Sequence, residues 1–286
     1  MSLKLEAVTK ITPRIIRILG FNPGLMTLQG TNTYVIGNGQ RRILLDTGEF
    51  NKPDYVCALK NVLSEERINL SDIIISHWHL DHIGGLRDVY NNFGKDSTVW
   101  KFRRTDERNP SFVDDVPIKY LKNGQEIQVD GATLKVIHTP GHTTDHIVLL
   151  LKEDNAIFTG DCILGAGTSV FEDLYDYMKS LEIILKLDPK ILYPGHGPVV
   201  EDAKDRIEAY INHRKNREEQ IVKILLKQKG QNVSTTNIVK SVYVDVPENL
   251  HKAAEQNVNN HLMKLRKDGR IAEISGGWAL LHPEQD

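Results

Sequence analysis

Along the first two hundred positions, apolar residues come in short runs closed by Gly, Asn or Pro, the pattern of buried strands ended by tight turns. IIRIL (15–19) has a strand-like texture, and TYVIGNGQRRILLDTG (33–48) predicts a hairpin around Asn38-Gly39 whose second strand ends at Asp46. DIIIS (72–76) is a β-branched run and predicts a buried strand. TLKVIHTPGH (133–142) predicts a strand running into a Pro-Gly turn, HIVLLLKEDNAIFTGD (146–161) a hairpin turning at Asp154-Asn155, and ILYPGHG (191–197) a further strand and Pro-Gly turn. Helical spacing interrupts these strands twice. It occurs in HIGGLRDVYNNF (82–93), with Ile83, Leu86 and Tyr90 on one side, and from Asp173 to Lys186, where Leu174, Tyr177, Met178, Leu181 and Leu185 recur at steps of three and four.

After Val200 the pattern changes. Glu201 to Lys229 reads as one long charged helix linking two domains. Ser234 or Thr235 caps a short helix through Tyr243. Pro247 suits the first turn of a third helix, which carries Leu250, Ala254, Val258, Leu262 and Leu265 on one face and stops at Gly269. RIAEISGGWALLH (270–282) predicts a hairpin with Gly276-Gly277 at its turn. This order is the layout of a winged helix-turn-helix, so the chain divides into a catalytic domain over 1–212 and a winged-helix-like domain over 213–286.

Composition narrows the class. Apolar residues make up 40% and charged residues 26%, ordinary for a chain with a proper core. No run approaches the roughly 18 apolar residues of a membrane span, so a soluble protein without a membrane partner is expected. Two cysteines, Cys57 and Cys162, are too few for a disulfide framework and fit a reducing compartment. The first twenty residues lack the apolar core of a secretory signal. Net charge is −2; residues 1–212 carry 24 Lys+Arg against 29 Asp+Glu, and residues 213–286 carry 12 against 9. A mildly basic tail is compatible with nucleic-acid contact, and solvated helix faces give the same count.

Chemistry enters at the strand ends. His77, His79, Asp81 and His82 follow the DIIIS strand, His142 follows KVIHTPG, Asp161 closes AIFTG, and His196 follows ILYPG. Four strand ends meeting at one sheet edge would gather seven N and O donors. Residues two apart in an extended segment point the same way, so His77 and His79 can share one metal while Asp81 and His82 face a second. Gly84 and Gly85 would remove bulk where the next helix approaches the site. Imidazole and carboxylate without thiolate suit Zn²⁺, and also Mn²⁺ or Fe²⁺, and a carboxylate such as Asp161 can bridge two ions. A lone histidine is a surface or satisfied core residue, which is the reading for His213, His251, His261 and His282. His138 and His146 flank the His142 loop in supporting roles. Packing so many polar groups beside a buried strand without partners would be costly, which argues against coincidence at His77–His82.

SHWHLDH (76–82), TPGHT (139–143), TGD (159–161) and PGHG (194–197) resemble the metallo-β-lactamase superfamily, and the resemblance covers roughly residues 10–200. It implies an α/β fold, a four-layer αββα sandwich. It also implies a two-zinc site in which His77, His79 and His142 bind one ion, Asp81, His82 and His196 bind the other, and Asp161 bridges. Asp46 matches a family aspartate that supports the metal loop without binding metal. Secreted zinc β-lactamases, many with a cysteine ligand near the Asp161 position, fit less well, and Cys162 is read as a buried neighbour. Glyoxalase II enzymes share the metal set but continue into a helical domain. NPGLMTLQGTNTYVIG (22–37), GDCILG (160–165), FEDLYDYMKSL (171–181), YPGHGPVV (193–200) and the terminal winged-helix layout are most similar to the β-lactamase-like protein 2 group of animal endoribonucleases.

That resemblance implies zinc-dependent cleavage of single-stranded RNA, with Asp81 orienting the attacking water or accepting its proton, and a mitochondrial matrix location; the cytoplasm is the alternative. A small-molecule hydrolase such as a thioesterase, or a winged-helix binding protein with a silent sandwich, are the competing expectations. Asn32 and Thr33 are candidate substrate contacts in a loop near the site. Lys264 and Arg266, with Lys267 and Arg270, are candidate phosphate contacts at the wing, although winged helices also serve only to pack. Trp100, Lys101, Phe102, Arg103 and Arg104 interleave rings with positive charge, as RNA-tracking surfaces do, and an exposed edge strand guarded by charge fits equally.

Overall fold

The computed structural model describes residues 5–105, 113, 115–228, 231–243 and 251–281, the side chains of 251–253 excepted. Pro247, Leu250 and His282, to which the sequence assigns roles, lie outside the described residues, as does the side chain of His251.

The first half forms a seven-stranded sheet in chain order: β1 (Val8–Thr12), β2 (Ile15–Leu19), β3 (Asn32–Ile36), β4 (Arg41–Leu45), β5 (Asn69–Ile75), β6 (Thr98–Lys101) and β7 (Ile118–Tyr120). The first four strands pair antiparallel and the last three join in parallel. Between them lie α1 (Pro53–Glu65) and two short helices, α2 (Leu80–Ile83) and α3 (Leu86–Val89), with a π turn over Tyr90–Gly94. A second sheet of β8 (Glu126–Val129), β9 (Ala132–His138), β10 (Ile147–Leu151), β11 (Ala156–Gly160) and β12 (Ile191–Pro194) is antiparallel except for the β11–β12 pair. Helix α4 (Leu174–Lys186) connects those two strands, as a parallel crossover requires.

Alternation along the strands produces the layers. In β2, Ile15 points between the sheets while Ile16 and Ile18 point outward under α1, and β4 divides Ile43 and Leu45 from Leu44 in the same way. The inter-sheet core joins Tyr34, Ile36 and Ile74 to Val136, Leu149, Phe158 and Tyr193. The outer face of the second sheet, with Val148, Ile157 and Leu192, packs on α4 and on α5 (Ala203–Lys227). The order is helix, sheet, sheet, helix, as expected from the sequence.

The expected boundary at residue 212 falls inside α5. Its first half buries Ile207, Tyr210 and Ile211 against the sandwich, and its second half buries Ile221 and Leu225 in a separate core with Ile238, Val258, Leu262, Leu265 and Trp278. That core belongs to a winged helix: α6 (Thr235–Val242), capped by Ser234, then α7 (His251–Lys267), then the hairpin of β13 (Ile271–Ile274) and β14 (Gly277–Leu280). Ile274 pairs with Gly277, so the hairpin turn is Ser275-Gly276, one residue earlier than expected, with φ of 49° and 79° as a two-residue turn demands. No described helix is long and apolar enough to cross a membrane.

Gly84 and Gly85 serve a packing need different from the one expected. A Cβ on Gly85 would lie 2.2 Å from Thr47 O and one on Gly84 would lie 2.9 Å from Phe50 N, so both glycines admit the loop after β4 rather than the site. The approach is fastened by Thr47 N and Oγ1, which both donate to His82 O at 2.8 and 2.9 Å.

Candidate metal centre

The ends of β5, β9, β11 and β12 share one edge of the sandwich, and the seven donor residues named from the sequence collect there in two groups. His77, His79, His142 and Asp161 form one; Asp81, His82 and His196 form the other. In the first, His77 Nε2 lies 3.1 Å from His79 Nδ1, and His142 Nε2 lies 3.3 and 3.0 Å from those two atoms. Nitrogens held 2.0–2.1 Å from a tetrahedral zinc lie roughly 3.3 Å apart, so this spacing is that of a ligand shell. In the second, His82 Nε2 and His196 Nε2 each lie 3.2 Å from Asp81 Oδ2 and 3.3 Å from Asp161 Oδ1. The other Asp161 oxygen, Oδ2, lies 3.7 Å from His142 Nε2. One carboxylate therefore turns an oxygen toward each group.

The surrounding hydrogen bonds aim the rings. Asp46 Oδ2 accepts from His82 Nδ1 at 2.7 Å, which leaves His82 Nε2 as the lone pair facing Asp161. Asp46 is itself held by Ser76, whose N and Oγ donate to it at 2.7 and 2.8 Å. Ser76 Oγ in turn receives His77 Nδ1 at 3.0 Å. His142 Nδ1 donates to Val170 O at 2.7 Å. Asp161 N donates to His146 Nε2 at 3.1 Å, so the proton of neutral His146 sits on Nδ1 and bonds Thr139 Oγ1 at 2.9 Å. His146 supports the site without joining either group. His138 stacks on Phe102 with ring centroids 4.1 Å apart.

Electrostatics distinguishes the groups. Burial, reinforced by neighbouring imidazoles, pushes His77 and His142 below the usual histidine range and His79 down to about 4, leaving neutral lone pairs. In the other group burial works against charge, yet the carboxylates of Asp81, Asp161 and Asp46 raise His82, and Asp161 and Asp81 raise His196 to about 9. Asp81 and Asp161 are held below the usual carboxylate range despite burial because His82 and His196 face them. This group demands positive charge, whether as protons or as a metal ion. His82 Nε2 and Asp161 Oδ1 are buried without a hydrogen-bond partner among the described residues, a cost that a coordinated cation relieves. The cluster can hold metal ions.

Several expected contacts stand elsewhere. Asn32 is fully buried, and its Nδ2 donates to Pro194 O and Gly197 O at 2.8 and 2.9 Å, so it fastens the PGHG loop and cannot meet substrate. Thr33, equally buried, donates to Ile18 O. Trp100 Nε1 donates to Asp72, while Lys101 and Arg104 are buried in ion pairs with Asp145. The segment is not an edge, since β7 pairs with β6, and of its basic residues only Arg103 is exposed. Lys264 is neutralised by Glu218 and Asp268, each at 2.7 Å, while Arg266 is exposed near the end of α7, beside the wing. His261 is buried with Nδ1 unpartnered among the described residues, so it is not the satisfied core histidine expected.

Other contributors carried no signal in a single sequence. Thr31 Oγ1 donates to Asp81 Oδ2 at 2.9 Å and receives Asn22 Nδ2 at 3.0 Å. Ser169 Oγ donates to Asp161 O at 2.5 Å. A cleft of about 220 Å³ opens over the donors, walled by Leu25, Met26, Leu28, Leu164 and Val170; none of its described lining residues is Lys or Arg.

The metallo-β-lactamase superfamily pattern matches residues 26–196, and that of the β-lactamase-associated winged-helix domain matches residues 234–278. The chain is 48% identical over 271 residues to a β-lactamase-like protein 2 homolog of Drosophila melanogaster, covering 93% of this chain and 92% of that one. It is 38% identical over 281 residues to an atrochrysone carboxyl ACP thioesterase of Aspergillus chevalieri, covering 96% and 88%. A β-lactamase domain protein of Burkholderia ambifaria superposes with a TM-score of 0.75 at 15% identity over 96% of this chain and 93% of that one, a likeness of fold. The donor cluster, the four layers and these matches agree, and the chain belongs to the metallo-β-lactamase superfamily of hydrolases, with a β-lactamase-associated winged helix at its C-terminal side.

Proposed function

We propose that this hydrolase is a two-zinc endoribonuclease of single-stranded RNA acting in the mitochondrial matrix. The observation that supports it is the division of the donors into two groups sharing Asp161, whose two oxygens face opposite ways. These residues would hold a pair of ions, which when bound would supply a hydroxide nucleophile near neutral pH and offset charge on the attacked phosphate and its leaving oxygen.

The chain's own contribution is orientation. Asp46, Ser76 and Val170 hold His82, His77 and His142 with their second nitrogens turned inward. Thr31 occupies one lone pair of Asp81 Oδ2, leaving a carboxylate at the cleft that can orient the attacking water and accept its proton. Water attack displaces the 3′-oxygen, giving 5′-phosphate and 3′-hydroxyl ends without use of the ribose 2′-hydroxyl. Leu25 and Met26, 96% and 61% exposed at the rim, suit the faces of unstacked bases. Zinc-loaded protein is expected to cut a defined single-stranded RNA, including one with a single 2′-deoxy nucleotide at the cut site. A 2′,3′-cyclic phosphate product would reject water attack.

A second reading has its own support. The cleft wall is apolar, its described lining lacks Lys and Arg, and one relative is named a carboxyl ACP thioesterase. Incubation of the metal-loaded protein with single-stranded RNA and with acyl thioesters separates the two. Thioester turnover with intact RNA would reject the nuclease.

A further inference from the structure

The loop from Leu164 to Val170 forms one wall of the cleft and carries the groups that hold two of the proposed ligands. Val170 O accepts from His142 Nδ1, and Ser169 Oγ donates to Asp161 O. This loop is gripped from behind by three residues of α5 spaced four apart, which share one helix face. Arg206 donates from Nε and Nη2 to Leu164 O at 3.1 and 2.9 Å, and from Nη2 to Gly167 O at 3.0 Å. Tyr210 donates its hydroxyl to Gly167 O at 3.1 Å and receives Leu164 N at 3.1 Å. Arg214 donates to Ser169 O at 3.1 Å.

Arg214 is unusual for a packing residue. It is 4% exposed, and its guanidinium faces the rings of Tyr210, Tyr177 and Phe171 at 5.0, 5.6 and 5.8 Å. Burying a cation among carbonyls and ring faces costs desolvation that an aliphatic residue of similar length would avoid. What the guanidinium adds is a fixed direction for the Ser169 carbonyl, one peptide from the carbonyl that sets the His142 ring.

We infer that Arg206, Tyr210 and Arg214 form a clamp that positions His142 and Asp161 for metal binding, so that the helix joining the two lobes is part of the metal centre. The inference rests on the metal reading of the donor cluster and is independent of the substrate. Its three members are positioning residues: they touch neither metal nor substrate and act through the loop.

The test is zinc affinity of the full chain, read by competition with a chromophoric chelator. Arg214→Met is expected to bind at least one zinc about 10-fold or more weakly, the usual effect of losing a group that orients a ligand. Tyr210→Phe, which keeps the ring and loses the donation to Gly167 O, is expected to lose less, and Arg214→Lys to recover part of the Arg214→Met loss. Faster amide hydrogen exchange at Ser169 and Val170 should accompany the weaker binding. Circular dichroism of the metal-free proteins shows which variants fold. If Arg214→Met does not, the combined Arg206→Gln, Tyr210→Phe variant decides on the same readout. Zinc affinity within two-fold of the parent in a folded Arg214→Met or in that combined variant overturns the clamp. A parent chain that binds no zinc overturns the metal reading itself, and failure on RNA alone touches neither.

Discussion

Asp46, 2% exposed, places its Oδ2 2.7 Å from His82 Nδ1, which makes it the residue that decides which nitrogen of His82 faces the cluster. Asp46 holds a left-handed backbone, φ 60°, at the end of β4, a conformation that Asn also tolerates. Asp46→Asn therefore keeps the backbone but turns an amide N–H toward either His82 Nδ1–H or the Ser76 donors. The expected outcome is a 10–100-fold loss of zinc affinity, roughly the range for such supporting groups, with the fold retained. Chelator competition checks it, and unchanged affinity would remove Asp46 from the site.

Asp81 and His82 belong to the second donor group only. Asp81→Ala and His82→Ala should each abolish cleavage and lower zinc content from two ions per chain toward one, because the three-histidine group remains intact. Metal analysis of purified protein, paired with an RNA cleavage assay, measures both. Full cleavage by a one-zinc variant would reject the two-metal proposal.

Gly195 offers a change that alters space alone. A Cβ there would stand 2.5 Å from Asp161 Oδ1 and 3.0 Å from His82 Cε1. Gly195→Ala should displace Asp161 or His82, costing about 1–3 kcal/mol of stability by overpacking and most of the second ion. Urea unfolding and metal analysis read the two effects. A variant with full metal content would mean that the cluster yields more easily than its packing implies.

The donors were legible in the sequence because each lies at the end of an apolar run, directly or after a Pro-Gly turn, signals that are local. What orients them was not. Thr31 reaches Asp81 across fifty residues, and Arg214 reaches Ser169 across forty-five, so no window of sequence contains both partners. The same distance misled the reading of charge. Lys264 looks free in LMKLRK, yet Glu218, far earlier on α5, neutralises it, and Lys101 and Arg104 look exposed until Asp145 is folded beneath them. Asn32 and Thr33 have the polarity of a surface loop, but both are buried, with the Asn32 Nδ2 donors spent on the PGHG turn and the Thr33 hydroxyl on Ile18 O. The strands were legible as apolar runs, whereas the four layers came only with the family resemblance. The turn of the last hairpin was misplaced by one residue because Ser275-Gly276 and Gly276-Gly277 are both acceptable turn pairs.

His261 links the winged helix to pH. It is 2% exposed, and burial, then the positive charges of Arg217, Arg214 and Lys264 and the nearby His213, lower its pKa from 6.5 to about 3. Its Nδ1 has no partner among the described residues. The folded chain therefore keeps His261 neutral where the unfolded chain takes up a proton. Its contribution to stability is whole above pH 6.5 and is lost progressively as pH falls from there toward 3. Between pH 7.5 and 5.5 the loss from this residue is about 1.4 kcal/mol. His261→Leu removes the titration and the unpartnered nitrogen, so its stability should fall less than the parent's over that interval by about this amount. Urea unfolding of both proteins in chelator at the two pH values isolates the term, because the metal-site histidines titrate alike in both. Parallel pH dependence would show that His261 is protonated in the folded protein and that the charges around it are compensated.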